Sequence, residues 1–105
     1  MRTRSRSKIL TRDPKWLGPA IAPGEILLEE YLKPLGIAQI EAACRLGISL
    51  NHLNEIVLGE RGISADTALR LARLLKTSPQ LWMRLQADWD LHQAKQREVK
   101  EGRRN

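Results

Sequence analysis

The sequence predicts an all-α fold, a compact domain of five helices with basic, flexible ends. Three observations predict it. Apolar residues recur at three- and four-residue spacing along most of the chain. No stretch of useful length alternates apolar and polar residues, as a half-buried strand would. Glycine, proline and serine fall between the periodic stretches, where helices need their stops and starts.

The elements follow in order. Residues 1–15 show no periodicity. Lys15–Gly24, KWLGPAIAPG, carries two prolines and two glycines and reads as an irregular lead-in, tacked down by Trp16, Leu17 and Ile21. Pro23 opens the first helix, because proline suits a first helical turn. Glu25, Glu29 and Glu30 lie toward its positive end. Ile26, Leu27, Tyr31 and Leu35 give it an apolar stripe, and Pro34 with Gly36 ends it. The second helix spans Gln39–Leu46, with Ala42, Ala43 and Leu46 inward, and Gly47 is its left-handed stop. The third spans Leu50–Val57 behind a Ser49 cap, and Gly59 ends it. Ser64 starts the fourth, with Ala65, Ala68, Leu69, Ala72 and Leu75 on one stripe. Ser78 and Pro79 cap and open the fifth, which runs to about Lys95 with Leu81, Trp82, Leu85 and Trp89. The organisation is therefore a basic, disordered arm over 1–15, a domain over 16–95 and a basic tail over 96–105.

Charge placement bears on function more than its total of +6. In residues 1–15, Arg2, Arg4, Arg6, Lys8, Arg12 and Lys15 stand against Asp13 alone, a net of +5. Residues 93–105 carry +3, and the body between is slightly acidic at −2. Basic arms attract phosphate backbones at long range, and they also serve simply as solubilising tails; both readings stand.

Other chemistries find little support. Cys44 is the sole cysteine, so no internal disulfide forms and nothing points to secretion. Its bland reading is a small buried apolar side chain. No apolar run approaches the roughly 18 residues of a membrane span, and a cytoplasmic protein is expected. His52, His92 and Cys44 lack metal-ligand spacing. The acidic pairs Glu29–Glu30 and Asp88–Asp90 diverge on a helix, and no nucleophile–base arrangement appears, so neither an enzyme nor a cofactor is expected.

The segment Gly47–Ser64, GISLNHLNEIVLGERGIS, carries the functional signal. Two short helices joined by a tight glycine turn form a helix-turn-helix. Small residues, Ala42, Ala43 and Gly47, let the helices cross closely. Ile48, Leu53 and Ile56 anchor the third helix from below. Ser49, Leu50, Asn51, His52, Asn54 and Glu55 are left for the outside and the rim, and such a helix reads base edges in the major groove with its N-terminal residues. Asparagine pairs bidentately with adenine, and Leu50 suits a thymine methyl. Gln39 and Arg61 are placed to hold phosphates. On the fifth helix Trp82, Leu85 and Trp89 read either as core or as a homodimer interface. A dimer would carry two reading helices and imply a palindromic operator on double-stranded DNA.

The segments PGEILLEEYLKPLGIAQ and NEIVLGERGISADTALRLARLLKTSPQLWMRLQADWDL resemble the HigA family of antitoxins, also called VapI-like, within the Xre-type (lambda-repressor-like) helix-turn-helix group. The resemblance covers Pro23 to about Ala94. It implies an all-α homodimer that represses its own operon and neutralises a HigB-type toxin, an mRNA endonuclease. It places base contacts on Ser49, Leu50, Asn51, His52 and Asn54 and a phosphate contact on Gln39. Ala38 departs from the pattern, standing where Ser or Thr usually caps the second helix, and Glu60 stands in place of a common lysine. A solitary repressor without a toxin, and an antitoxin that binds protein more than DNA, are the alternatives. The possible DNA arm is Arg2, Arg4, Arg6, Lys8 and Arg12.

Overall fold

The computed structural model describes residues 21–101. The expected basic arm with Arg2, Arg4, Arg6, Lys8 and Arg12, the lead-in residues Trp16 and Leu17, and residues 102–105 lie outside the described residues. The described chain folds into five helices, with no strand among those residues. Helix α1 is continuous through three segments, Pro23–Ile26, Leu27–Leu32 and Lys33–Leu35. Helices α2 (Gln39–Leu46), α3 (Leu50–Val57), α4 (Ala65–Leu75) and α5 (Pro79–Lys100) follow.

Helix α1 departs from the expected regular winding. Its middle segment Leu27–Leu32 is a π-helix, and the Lys33 N–H reaches back to the Leu28 carbonyl. Pro34 supplies the physical reason. It has no N–H for the α-type bond to residue 30, and its ring crowds that carbonyl. The wider turn gives the ring room, and the helix continues through Pro34 to stop at Gly36, φ +70°. The wider turn also shifts the apolar stripe: Leu32 is buried, whereas Leu35 is 57% exposed.

The caps obey the sequence closely. Ser49, Ser64 and Ser78 each accept a backbone N–H in the first turn of α3, α4 and α5. Such caps contribute about 1 kcal/mol each. In α4 the buried stripe is Ala68, Leu71, Ala72 and Leu75, while Ala65 and Leu69 are exposed. Leu69 lies roughly 100° round the helix from Ala68, which carries it off the stripe. Leu71 takes the inward place.

One core unites the helices. Leu27 and Leu32 come from α1, Ala42, Ala43 and Leu46 from α2, Leu53 and Ile56 from α3, Ala68, Leu71 and Leu75 from α4, and Trp82 from α5. Ile63 adds the loop before α4. Trp82 is fully buried, its ring tilted against Tyr31 at 5.4 Å between centroids. Gly24 allows the N-terminus of α1 to lie on α3: a Cβ there would stand 1.8 Å from the Ile56 carbonyl oxygen. Helix α5 runs past the expected end at Lys95, and from Lys95 to Lys100 every residue is exposed. Its first half closes the core, and His92, Gln93 and Ala94 stay half-buried before the exposed end.

Candidate nucleic-acid interface

Helices α2 and α3 are joined by Gly47, Ile48 and Ser49. Gly47 adopts φ +76°, a left-handed conformation that glycine takes without strain. The Ile48 N–H bonds the Ala43 carbonyl at 3.1 Å and the Gly47 N–H bonds the Cys44 carbonyl at 3.2 Å. This paired closure satisfies two carbonyls that a helix end leaves open. Two residues later the Ser49 Oγ accepts the His52 N–H at 3.0 Å, starting α3 at once.

Leu53 and Ile56 hold α3 in the core, and Ile48 packs against it from the turn. Ser49, Leu50 and Asn51 are exposed, and His52, Asn54 and Glu55 are half-buried. Asn51 points roughly 160° away from Leu53 round the helix, so the core anchor aims it directly outward. Of the expected reading residues, Ser49, Leu50 and Asn51 are thus exposed at the start of α3, and His52 and Asn54 lie half-buried to either side.

Gln39 and Asn54 are not independent. The Gln39 Nε2 donates to the Asn54 Oδ1 at 3.0 Å. Gln39 opens α2, whose N-cap Ala38 makes no side-chain capping bond. The Gln39 Oε1 is buried without a hydrogen-bond partner among the described residues. Packing and Asn54 therefore set the place of Gln39. Arg61 follows α3 as expected, but its Nε donates to the Glu55 Oε1 at 2.8 Å. That pair is solvent-exposed and weak.

The three interface candidates on α5 separate. Trp82 has no exposed surface, and its Nε1 donates to the Thr77 Oγ1 at 2.8 Å inside the domain. It belongs to the core and offers nothing to a partner copy. Leu85 and Trp89 are half-buried, with Trp89 stacked on His92 at 5.7 Å. The large apolar side chains that face outward on α5 are Met83, Leu91 and Val99. Cys44 is exposed on α2, against the buried reading. Among the described residues no cluster of His, Cys, Asp or Glu suits a metal ion, and no helix is long and apolar enough to cross a membrane.

Two contacts have no signal in the sequence. The Arg70 Nη1 donates to the Leu46 carbonyl at 2.7 Å, and the Gln86 Oε1 accepts the Ile63 N–H at 2.8 Å. Both join residues more than twenty positions apart, so no local pattern announces them.

Comparison with known proteins agrees with this architecture. Residues 28–82 match the helix-turn-helix family. The chain is 51% identical over 78 residues to virulence-associated protein I of Dichelobacter nodosus, covering 74% of this chain and 72% of that one. Its fold matches the solved Pseudomonas aeruginosa antitoxin HigA with the higBA promoter, at TM-score 0.75 and 41% identity, over 81% of this chain and 92% of that one. The chain belongs to the HigA, or VapI-like, group of the helix-turn-helix family.

A second solved structure, antitoxin GraA in complex with its operator, matches at TM-score 0.74 and 38% identity over 89% of this chain and 96% of that one. The family is one of DNA-binding regulators rather than enzymes. In this HigA-group chain the matched segment contains α2, the turn and α3 entire, together with α4, and leaves most of α5 outside.

Proposed function

We propose that the chain is a sequence-specific DNA-binding repressor and the antitoxin of a HigB/HigA-type module. The observation that carries this reading is the outer start of α3. Ser49, Leu50 and Asn51 are exposed there above an anchor of Leu53 and Ile56. Asn51 reads a base edge by a bidentate amide contact, and Leu50 meets a thymine methyl. His52 and Asn54 flank them, and Gln39 and Arg61 hold phosphates that fix the register. Two copies on a palindromic operator carry two such helices and exclude polymerase by occupying the site. The protein acts in the cytoplasm, where its second partner is a HigB-type toxin. The basic arm Arg2, Arg4, Arg6, Lys8 and Arg12 adds phosphate contacts.

The solved relatives with promoter and operator DNA support the DNA reading. The test is fluorescence anisotropy with DNA from the gene's own upstream region, against a scrambled duplex, across a salt series. Tight, sequence-dependent binding with a steep salt slope is expected. Equal weak binding of both duplexes by folded protein would overturn it. The Arg61–Glu55 pair and the exposed Glu60 favour a second reading, in which toxin binding is the main activity and DNA binding is weak.

A further inference from the structure

The turn that aims α3 is held from outside the motif. The paired closure at Gly47 uses the Ala43 and Cys44 carbonyls and leaves those of Leu46 and Gly47 at the tip of α2. Arg70, on α4, covers both: its Nη1 lies 2.7 Å from the Leu46 oxygen and 3.5 Å from the Gly47 oxygen. Its Nε donates to the Asp66 Oδ2 at 3.0 Å, one turn back on α4. The cation sits at the negative end of the α2 dipole. The positive φ of Gly47 favours glycine, and a Cβ there would also stand 2.7 Å from the Arg70 Nη1 and displace that movable side-chain end. The side chain of Arg70 is only 35% exposed, and its polar edge is turned inward to the tip of α2.

We propose that Arg70 is a positioning residue for base reading: its guanidinium fixes the turn from α2 to α3 and so sets the angle at which α3 meets DNA. The inference rests on the DNA-reading function above. The turn has only Gly47, Ile48 and Ser49 in which to absorb error, so a small shift at Leu46 becomes a tilt of the whole reading helix. The planar fork of arginine meets the carboxylate and both carbonyls together. A lysine ammonium, one point on a flexible stem, cannot.

The test compares the full-length parent, Arg70→Lys, Arg70→Gln and Asp66→Asn. Anisotropy gives the ratio of affinities for the upstream duplex and a scrambled duplex, with the salt slope of each. Hydrogen exchange follows the Gly47 and Ile48 amides against the core amide of Leu71. In folded Arg70→Lys the affinity ratio falls about tenfold, the equivalent of one misread base pair. Exchange at Gly47 and Ile48 quickens, Leu71 is unchanged, and the salt slope is kept. An unchanged ratio in a folded variant would make Arg70 a purely structural residue and overturn the proposal. In Arg70→Gln, which removes the charge that Arg70→Lys keeps, a salt slope reduced by about one phosphate would instead make it a direct DNA contact, which overturns the proposal as well. A parent without duplex preference refutes the DNA reading itself, and the exchange data then decide the clamp alone. Should Arg70→Lys fail to fold, Asp66→Asn decides, since the Asp66 side chain is 73% exposed and its loss spares the core. It shifts both readouts in the same direction by about two- to fivefold, and no shift overturns the inference.

Discussion

The Gln39 amide donates to the Asn54 Oδ1 at 3.0 Å, tying the first residue of α2 to the flank of α3. The proposed function gives phosphate to one side chain and bases to the other, and the bond couples the two. Gln39→Ala and Asn54→Ala should therefore weaken operator binding non-additively. A double-mutant cycle by anisotropy is expected to give a coupling of about 0.5–3 kcal/mol. Additive effects would show that the two residues act separately on DNA.

Arg61 is drawn to Glu55 at 2.8 Å, while the proposed function gives it a phosphate to hold. Glu55→Gln releases the guanidinium. The log–log salt slope of DNA binding should then steepen by about 0.9, the value of one added phosphate contact on duplex DNA. A slope identical to the parent's means that Arg61 already reaches phosphate from the pair, or never does.

Trp82 places its indole N–H on the Thr77 Oγ1 inside the core. Thr77→Val keeps the shape and removes the acceptor, so it should cost about 1–3 kcal/mol in urea unfolding followed by circular dichroism. Trp82→Ala removes the whole ring and should cost about 3–5 kcal/mol. Sedimentation of a folded Trp82→Phe protein should show the parent's association state, because the ring has no exposed surface.

Gly24 and Gly36 bracket α1 but differ in what restricts them. A Cβ at Gly24 would run into the Ile56 carbonyl, whereas nothing lies within 4 Å of one at Gly36, where only the positive φ resists. Gly36→Ala should cost about 1–2 kcal/mol. Gly24→Ala should cost more, because backbone on both sides must move. Thermal denaturation should place Tm in the order parent, Gly36→Ala, Gly24→Ala.

The limits of α2 and α3 were legible because their signals are local: Gly47 as a left-handed stop, Ser49 as a cap, and Leu53 and Ile56 at the spacing of one helix face. Membership of the HigA group was legible from the block after Asn54, and the comparisons agree. What stayed hidden depends on groups far apart or on details of winding. The apolar rhythm of α4 is dense enough to take Leu69 for Leu71. Trp82 fits a core and a surface equally well by spacing, and only the acceptor at Thr77 and the ring of Tyr31 decide. The pairing of Gln39 with Asn54 and the reach of Arg70 to Leu46 arise only once the helices cross.

The π-turn in α1 bears on how the chain tolerates changes in length. A turn closed five residues apart holds one residue more than an α-turn, so Leu27–Leu32 behaves as a stored insertion. Deleting Glu29 would leave the flanks of the helix nearly in phase, so Gly24 would keep its place on the Ile56 carbonyl. The narrowed turn would instead press the Pro34 ring against the carbonyl four residues before it. The wide turn thus keeps a change of length in the first helix from reaching α3, and Pro34 is what holds that turn open.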